Sequence, residues 1–519
     1  MRKFYTWYLV LLVFTGQVMT GIAHGQNMSA GSPFAVRGFH LDLRIQVMKM
    51  PALKSFVKQL AGQGINTLVM EWEASYPYSD PLLRNRYAYS KEEIVSFINY
   101  CKELHIDVVP LQQSFGHVEY ILRHYKYAAL REDNRDFSQV CPSELALNKA
   151  LFTQLYKDLI ATHNSPYIHI GGDETYLLGH CAKCQKRVAE AGISKLYFDH
   201  VRMLCEIAVE LGKRPVVWAD MALKYPEYIK TLPRETVLVD WNYGWPLNRF
   251  GAHEKLMQSG YEIWGAPALR SDPDNYFLTR WQYHFANIRD FCQASREMGY
   301  KGIILTSWST SGVYNALYES SDALIDLYAI RHVYPVNGFM MLVAAYKQTI
   351  HQSGKLNIDS FVTAFAQNNY GFNQKNAELF RRALFTAPYT VSDGKVHAPF
   401  EMSLQQLRDS VDWAAKTLRA LNPLKNAGSF AHYQLMADIR VYYMDFLQIE
   451  ALVNADSFSE SSRASVIQRL GLLLRQGELI DQRFLALQVG LLYPAALKEE
   501  NNLRNQRVRL LYERLAQKR

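Results

Sequence analysis

The chain has 519 residues, of which 49% are hydrophobic and 20% are charged. These proportions are typical of a well-packed globular protein and exclude an intrinsically disordered one. The formal net charge of +8 is spread over the whole length and forms no basic stripe, so the composition argues against a nucleic-acid partner.

The first 25 residues have the features of an export signal. Two basic residues precede an apolar run over residues 4–18, and small residues lead to a cleavage signature at residues 23–25. A membrane anchor is the alternative, but the run is short for a span and is broken at Gly16. We therefore predict that residues 1–25 are a signal peptide and that the mature protein is periplasmic or secreted, without a membrane span.

Eight short apolar runs alternate with helical stretches over the next part of the chain. They lie at residues 38–43, 67–71, 107–111, 167–171, 215–218, 236–241, 261–264 and 302–306. Several are almost continuously apolar, as parallel strands covered on both faces are. The pattern predicts a (β/α)8 barrel, or TIM barrel, over residues 36–340. A doubly wound open sheet is the alternative, but no glycine-rich phosphate loop follows the first strand.

Strand signals fade beyond about residue 340. Apolar residues recur there at helical spacing, at 404–418, 436–447, 466–492 and 508–515. We predict an all-α domain over residues 341–519. It packs on the barrel or on a second subunit, and the second arrangement would give a homodimer through these helices.

Catalysis in such a barrel takes place at the carboxyl ends of the strands. Polar and aromatic side chains stand at most of the predicted strand ends. They are Asp42 (first strand), Glu73 (second), His117 (third), Asp173 and Glu174 (fourth), Trp218 (fifth), Trp241 and Tyr243 (sixth) and Trp308 (eighth). A barrel with a purely structural role would not need this collection on one rim.

The most specific motif is His169-Ile170-Gly171-Gly172-Asp173-Glu174. After two glycines the backbone can turn so that both carboxylates reach one ligand. Two neighbouring carboxylates titrate unequally, so one can hold a proton near neutral pH and act as a general acid beside an anionic partner. A helix-capping Asp beside a solvated Glu is the structural alternative, against which the aromatic rim argues.

Four strand ends together resemble glycoside hydrolase family 20, the exo-acting β-N-acetylhexosaminidases, and within it the hexosaminidase D branch. The shared motifs are His40-Leu41-Asp42-Leu43, Glu71-Trp72-Glu73 with Pro77-Tyr78, Phe115-Gly116-His117 and the Asp173-Glu174 motif. The resemblance covers roughly residues 38–310. Matches at several successive strand ends make it specific, whereas a lone Asp-Glu pair would not be.

The resemblance implies retaining, substrate-assisted hydrolysis of terminal β-linked N-acetylglucosamine or N-acetylgalactosamine. The 2-acetamido oxygen would attack the anomeric carbon, Glu174 would be the general acid and base, and Asp173 would orient the acetamido N–H. The implied partners are glycans that end in N-acetylhexosamine, with no cofactor and no metal.

The resemblance also implies substrate-binding roles. His117 would couple to the general acid, and Trp218, Trp241 and Trp308 would wall the sugar subsite. Asp42 and Glu73 are candidates for binding sugar hydroxyls. The family holds the acetamide oxygen with a tyrosine, for which Tyr243 is our first candidate and Tyr276 the second.

Two other functions are weighed against this one. A catalytically inactive sugar-binding barrel is disfavoured, because a pure binder needs no proton donor. A metal-dependent hydrolase would use His169, Asp173, Glu174 and His180, which would be crowded on one loop. For the single C-x-x-C, Cys181 to Cys184, a local disulfide or two packed thiols is favoured over a metal site, because His180 alone does not complete a zinc set.

Overall fold

A computed structural model of the chain describes residues 32–271, 274, 277–317, 326–331 and 334–517, with only the backbone given for 310–317 and 326–331. The predicted signal peptide at residues 1–25 and Tyr276 lie outside the described residues, so export stays a prediction. In the part of the chain that the structure describes, no helix is both long and apolar enough to cross a bilayer.

Eight parallel strands close into a barrel, which confirms the predicted TIM barrel. They are β1 (Val36–Asp42), β2 (Thr67–Glu71), β3 (Asp107–Leu111), β4 (Tyr167–His169), β5 (Arg214–Trp218), β6 (Val237–Trp241), β7 (Glu262–Ala266) and, after the short strand β8 (Ala268–Arg270), β9 (Gly302–Ser307). Val36 of β1 pairs with Gly302 of β9 and closes the ring. Every predicted apolar run coincides with one of these strands, with small shifts at the ends.

The barrel strands are apolar on both faces because each face meets a different layer. Side chains that point inward, such as Val69, Val109, Val239 and Ile304, fill the barrel with branched groups. Side chains that point outward, such as Leu68, pack against the helices. This double burial explains why the strands read as continuous apolar strings.

Helices surround the barrel strands. They are α1 (Met50–Gly62), α2 (Lys91–Glu103), α3 (Glu119–Leu122), α4 (Leu145–Ile160), α5 (Ala182–Ala191), α6 (Ile193–Glu210), α7 (Asp220–Lys224), α8 (His253–Met257) and α9 (Trp281–Glu297). At the start of α2, the Ser90 hydroxyl accepts the Glu93 N–H at 3.1 Å, and the Glu93 carboxylate accepts the Ser90 N–H at 2.8 Å. This reciprocal capping box fixes where the helix begins.

The C-terminal region is helical and packs on the barrel. Its helices are α10 (Met340–His351), α11 (Ile358–Tyr370), α12 (Gln374–Leu384), α13 (Leu404–Ala420), α14 (Ala427–Val453), α15 (Glu460–Gln488) and α16 (Pro494–Ala516). The Tyr346 hydroxyl on α10 donates to the carbonyl oxygens of Ile303 at 2.9 Å and Gly38 at 3.2 Å, and so joins α10 to β9 and β1. The domain boundary at 340 and the homodimer stay predictions.

Two hairpins depart from the predicted pattern. The backbone of β10 (Thr310–Leu317) pairs antiparallel with β11 (Asp326–Arg331) just after the barrel closes. In the C-terminal region, β12 (Thr390–Ser392) and β13 (Lys395–His397) are joined by Asp393 and Gly394, both with positive φ. An Asp-Gly pair is a strong signal for a two-residue turn, so this short exception to the all-α prediction was visible in the sequence.

Candidate active site

A cleft of about 890 Å³, measured with its open mouth, lies at the carboxyl ends of the barrel strands. It brings together seven of the predicted site residues, namely His117, Asp173, Glu174, Trp218, Trp241, Tyr243 and Trp308. A second cavity, of about 660 Å³, lies among the C-terminal helices, and its described lining has no carboxylate. Because the strand-end cleft contains two carboxylates, a histidine and tryptophans, it is the candidate active site.

Glycines position the Asp-Glu pair. Gly171 and Gly172, directly after β4, have φ of +75° and +98°. A Cβ at Gly171 would lie only 2.1 Å from Gln113 Oε1, so a larger residue would be strained by the positive φ and would also displace the Gln113 side chain. On the neighbouring loop, a Cβ at Gly116 would lie 2.7 Å from the carbonyl oxygen of Asp173. The two loops can approach this closely only because these positions are glycine.

His117 connects the two carboxylates. Its Nε2 lies 3.3 Å from Glu174 Oε2 and 3.5 Å from Asp173 Oδ2. The Tyr176 hydroxyl donates to the other oxygen of Glu174, Oε1, at 2.8 Å. Both His117 and Glu174 have left-handed φ, +56° and +46°, which non-glycine residues seldom adopt. Such strained residues concentrate at functional sites.

The contacts in this cluster shift the pKa values of His117 and Glu174 in opposite directions, which favours a proton on His117 over one on Glu174. Burial alone would raise the pKa of Glu174, but His117 and the Tyr176 hydroxyl outweigh it and lower that pKa. Burial alone would lower the pKa of His117, but the two carboxylates outweigh it and raise that pKa well above its usual value. The expectation that one of the paired carboxylates holds a proton stays a prediction, and the lowered pKa of Glu174 argues against Glu174 as that carboxylate in the empty site.

Asp220 is a further buried carboxylate that contacts the loop carrying Asp173 and Glu174. Its Oδ2 accepts the backbone N–H of Glu174 at 3.1 Å, and its Oδ1 accepts the indole N–H of Trp241 at 3.2 Å. Burial raises the pKa of Asp220 to about 7, and the charge of nearby Asp173 contributes to the increase. Asp220 thus ties one wall of the cleft to the loop that carries Glu174.

The three predicted tryptophans and Tyr243 form part of the wall of the cleft. The ring centres of Trp218 and Trp308 are 6.0 Å apart, and those of Trp241 and Tyr243 are 5.0 Å apart. The indole N–H of Trp308 donates to the Tyr243 hydroxyl at 2.8 Å. These rings offer flat apolar faces of the kind that sugar rings stack on, together with one phenolic hydroxyl.

Two buried polar atoms in the cleft lack a partner among the described residues. They are Asp173 Oδ1, an acceptor, and Trp218 Nε1, a donor. A buried polar group without a hydrogen bond costs roughly 1–3 kcal/mol. Such groups call for an explanation, and a ligand that donates to Asp173 Oδ1 would provide one.

Asp42 and Glu73, the carboxylates predicted to bind sugar hydroxyls, do not line the cleft. Asp42 is fully buried, and its Oδ2 accepts the N–H and the hydroxyl of Ser309, each at 2.9 Å. Glu73 lines a separate cavity and lies 3.5 Å from the buried guanidinium of Arg44, which also pairs with Glu71. Burial raises the pKa of Glu73 to about 8. Both carboxylates belong to a buried ionic network beneath the rim.

The cleft also contains residues that the strand-end motifs did not single out. They are Tyr176, Trp245, Arg249, Phe250, Ser271 and Tyr283. The sequence could have indicated Tyr176, because this residue follows Glu174 by two positions. The Arg249 guanidinium lies 4.3 Å from the centre of the Trp245 ring, so this pair extends the aromatic wall along the loop after β6.

The four residues of the metal-hydrolase alternative do not come together around one possible ion position among the described residues. His169 is fully buried inside the barrel, and burial lowers its pKa to about 3. His180 is exposed and lies 2.8 Å from Asp133. Among the described residues, the His, Cys, Asp and Glu side chains close enough to share an ion lie elsewhere, around Cys184. The Asp173-Glu174 cleft is therefore built from carboxylates, a histidine and indoles.

A parallel barrel with paired carboxylates under an indole wall is an arrangement that suits glycoside hydrolysis. Residues 34–287, from the first barrel strand to α9, match the family described as "Glycosyl hydrolase family 20, catalytic domain". This match agrees with the motif-based expectation of a glycosyl hydrolase family 20 catalytic domain over the barrel.

Sequence comparison also finds two mammalian relatives, both named Hexosaminidase D. The protein of Homo sapiens is 30% identical over 310 residues, which are 56% of this chain and 64% of the relative, just under two thirds of its length. That of Bos taurus is 29% identical over 305 residues, which are 55% of this chain and 87% of the relative. Among solved structures, the β-N-acetylhexosaminidase of Bacteroides fragilis NCTC 9343 is 17% identical with a TM-score of 0.49, covering 65% of this chain and 70% of that one.

Proposed function

We propose that the protein is an exo-acting β-N-acetylhexosaminidase that removes terminal β-linked N-acetylglucosamine or N-acetylgalactosamine with retention of configuration. The observation that carries this proposal is the Asp173-Glu174 pair in an indole-walled cleft, with Asp173 Oδ1 buried and unpartnered among the described residues. An acetamido N–H is a donor that would complete it. The name of the two mammalian relatives and the family 20 domain support the same activity.

The first half of the reaction uses the substrate's own amide. Asp173 accepts the acetamido N–H and turns the carbonyl oxygen toward the anomeric carbon. That oxygen forms a bond to the carbon as the glycosidic bond breaks, and Glu174 gives a proton to the departing oxygen. The positive charge that develops on the oxazolinium ring faces the fixed anion of Asp173 in a water-poor site, where such an interaction is strong.

The second half reverses the geometry. Glu174, now ionised, takes a proton from a water molecule that attacks the anomeric carbon, and the carbon–oxygen bond to the amide breaks. Two inversions at one carbon give net retention. Trp218, Trp241 and Trp308 fold the acetamide against the ring and keep other water away, and the Tyr243 hydroxyl donates to the amide oxygen.

His117 supplies the proton that Glu174 delivers. In the empty site the proton is held between His117 and the two carboxylates, with His117 as the most basic member. When the glycosidic oxygen arrives beside Glu174, the proton moves across the 3.3 Å contact from His117 Nε2 to Glu174 Oε2. His117 is thus a proton store for the general acid.

We expect His117→Gln to move the alkaline limb of the kcat/KM profile to lower pH. An acid catalyst works protonated, so activity is lost as the pH rises through the pKa of the cluster that holds the proton. The raised pKa of His117 keeps that proton in place to high pH, whereas carboxylates alone release it earlier. The profile is measured with an aryl N-acetyl-β-glucosaminide. His397→Gln, at an exposed site on β13, is the control, and an unmoved limb in His117→Gln contradicts the role of His117.

The activity itself is tested with matched aryl glycosides. The purified protein is expected to release the aryl alcohol from an N-acetyl-β-glucosaminide, an N-acetyl-β-galactosaminide or both, and to leave the plain β-glucoside intact. Comparison of the first two substrates gives the epimer preference. Equal turnover of the plain glucoside would remove the acetamide from the mechanism, and no turnover of either N-acetyl glycoside would favour a non-catalytic sugar-binding barrel.

A further inference from the structure

A second cluster of reactive side chains lies outside the cleft. Cys141, Cys181, Cys184 and Glu132 bring their ligand atoms within 4.8 Å of one another. All three cysteines are free thiols, and the cluster is buried apart from Cys181, which is half-buried. The C-x-x-C pair therefore has a third thiol and a carboxylate beside it, which sequence spacing alone does not reveal.

The distances within the cluster are close to those of a tetrahedral metal site. Cys141 Sγ lies 3.5 Å from the Sγ of both Cys181 and Cys184, and Cys184 Sγ lies 3.2 Å from Glu132 Oε2. Bond lengths of about 2.3 Å to sulfur and about 2.0–2.2 Å to oxygen place the corners of a tetrahedral zinc site ~3.8 Å apart for two sulfurs and ~3.5 Å apart for sulfur and oxygen. The observed contacts are slightly shorter than these edges, so a small outward movement of the ligand atoms would admit one ion.

The backbone already orients these ligands. The N–H of Cys181 donates to Glu132 Oε1 at 2.7 Å, which leaves Oε2 facing the thiols. Cys181 caps α5, and the N–H of Cys184 donates to its sulfur at 3.4 Å. Hydrogen bonds of this kind fix ligand orientation and are a usual part of metal sites. A disulfide between two of the thiols would leave the third thiol and the buried carboxylate unexplained.

We propose that Glu132, Cys141, Cys181 and Cys184 bind a structural zinc ion. Three thiolates and one carboxylate at tetrahedral spacing suit zinc, and a site with four protein ligands has no open position for catalysis. Binding of the ion releases the three thiol protons to solvent. The site shares no residue with the cleft, so the ion takes no direct part in the proposed glycosidase chemistry.

The zinc ion would join the two loops that form the active site. Glu132 and Cys141 lie on the segment after β3 that also carries His117, whereas Cys181 and Cys184 end the loop after β4 that carries Glu174. Between the two segments, the N–H of Leu177 already donates to the side chain of Gln139 at 3.0 Å. A metal cross-link here would keep the two loops, and with them His117 and Glu174, at a fixed distance from each other.

The test is the metal content of the full chain, purified without chelator and measured by elemental mass spectrometry. We expect about one zinc per chain, since the four ligands form one site. Cys141→Ser and Cys184→Ser should lose it, whereas Cys101→Ala, at a buried cysteine outside the cluster, should keep it. Zinc that is absent from the wild type, or that stays in both serine variants, overturns the proposal.

A spectroscopic measurement on the wild type covers the case in which a variant fails to fold. After zinc is exchanged for cobalt, tetrahedral thiolate ligation should give a sulfur-to-cobalt charge-transfer band and intense visible bands. Weak bands typical of six oxygen or nitrogen ligands overturn the proposal. An intact mass that shows a disulfide among the three cysteines of the purified protein also overturns it.

Discussion

Glu174→Gln is expected to lower turnover of substrates with poor leaving groups by at least ~100-fold, as for loss of a general acid. Glutamine keeps the shape of the side chain and can still accept from the Tyr176 hydroxyl, but it has no proton to give to the glycosidic oxygen. Circular dichroism should show the wild-type fold, because the side chain lies at the cleft surface rather than in the core.

The dependence of the rate deficit on the leaving group distinguishes a loss of acid catalysis from a general loss of substrate fit. An aryl group whose phenolate is already stable needs little protonation, so the deficit of Glu174→Gln should shrink as the leaving group improves. Glu227→Gln, at an exposed site away from the cleft, should behave as the wild type. An unchanged rate, or a loss equally large for every leaving group, would contradict the assignment of Glu174 as the general acid.

Asp173→Asn is expected to lower kcat by about 10²–10³-fold, the range found when one preorganised electrostatic contact to a transition state is removed. The asparagine carbonyl can still accept the acetamido N–H, so KM should change much less. What is lost is the negative charge opposite the oxazolinium ring. Removal of a group that acts only in the transition state lowers kcat and kcat/KM together.

Steady-state kinetics on an aryl N-acetyl-β-glucosaminide measure this effect. Asp456→Asn, at an exposed position between α14 and α15, controls for the chemical change itself and should leave both constants unaltered. If the loss in Asp173→Asn appears in KM alone, Asp173 binds the ground state rather than the developing cation, and the proposed role is wrong.

Much of the barrel could be predicted from the sequence because parallel strands are buried on both faces. Each strand is therefore a short, nearly continuous apolar run in the sequence, and polar residues separate one run from the next. The carboxyl ends of such strands meet on one rim. Residues far apart in sequence, such as His117, Glu174 and Trp308, could therefore be assigned to one cleft from their strand-end positions alone.

The rest depends on contacts that sequence spacing does not contain. Asp42 stands at a strand end, yet it turns to Ser309 beneath the rim rather than into the cleft. The location of the shared proton depends on the approach of His117 to two carboxylates, which only the folded loops define. Likewise, Cys141 lies 40 residues before Cys181, and no local pattern joins it to the C-x-x-C pair.

In the proposed mechanism, the substrate's amide oxygen, held by Asp173, is the nucleophile. The turnover of a series of aryl β-glucosaminides whose N-acetyl group carries no, one, two or three fluorines tests this step. Fluorine withdraws electrons from the carbonyl oxygen, so kcat should fall steeply along the series. Rates that are the same for all four substrates would show that another group attacks the anomeric carbon, and would contradict the account.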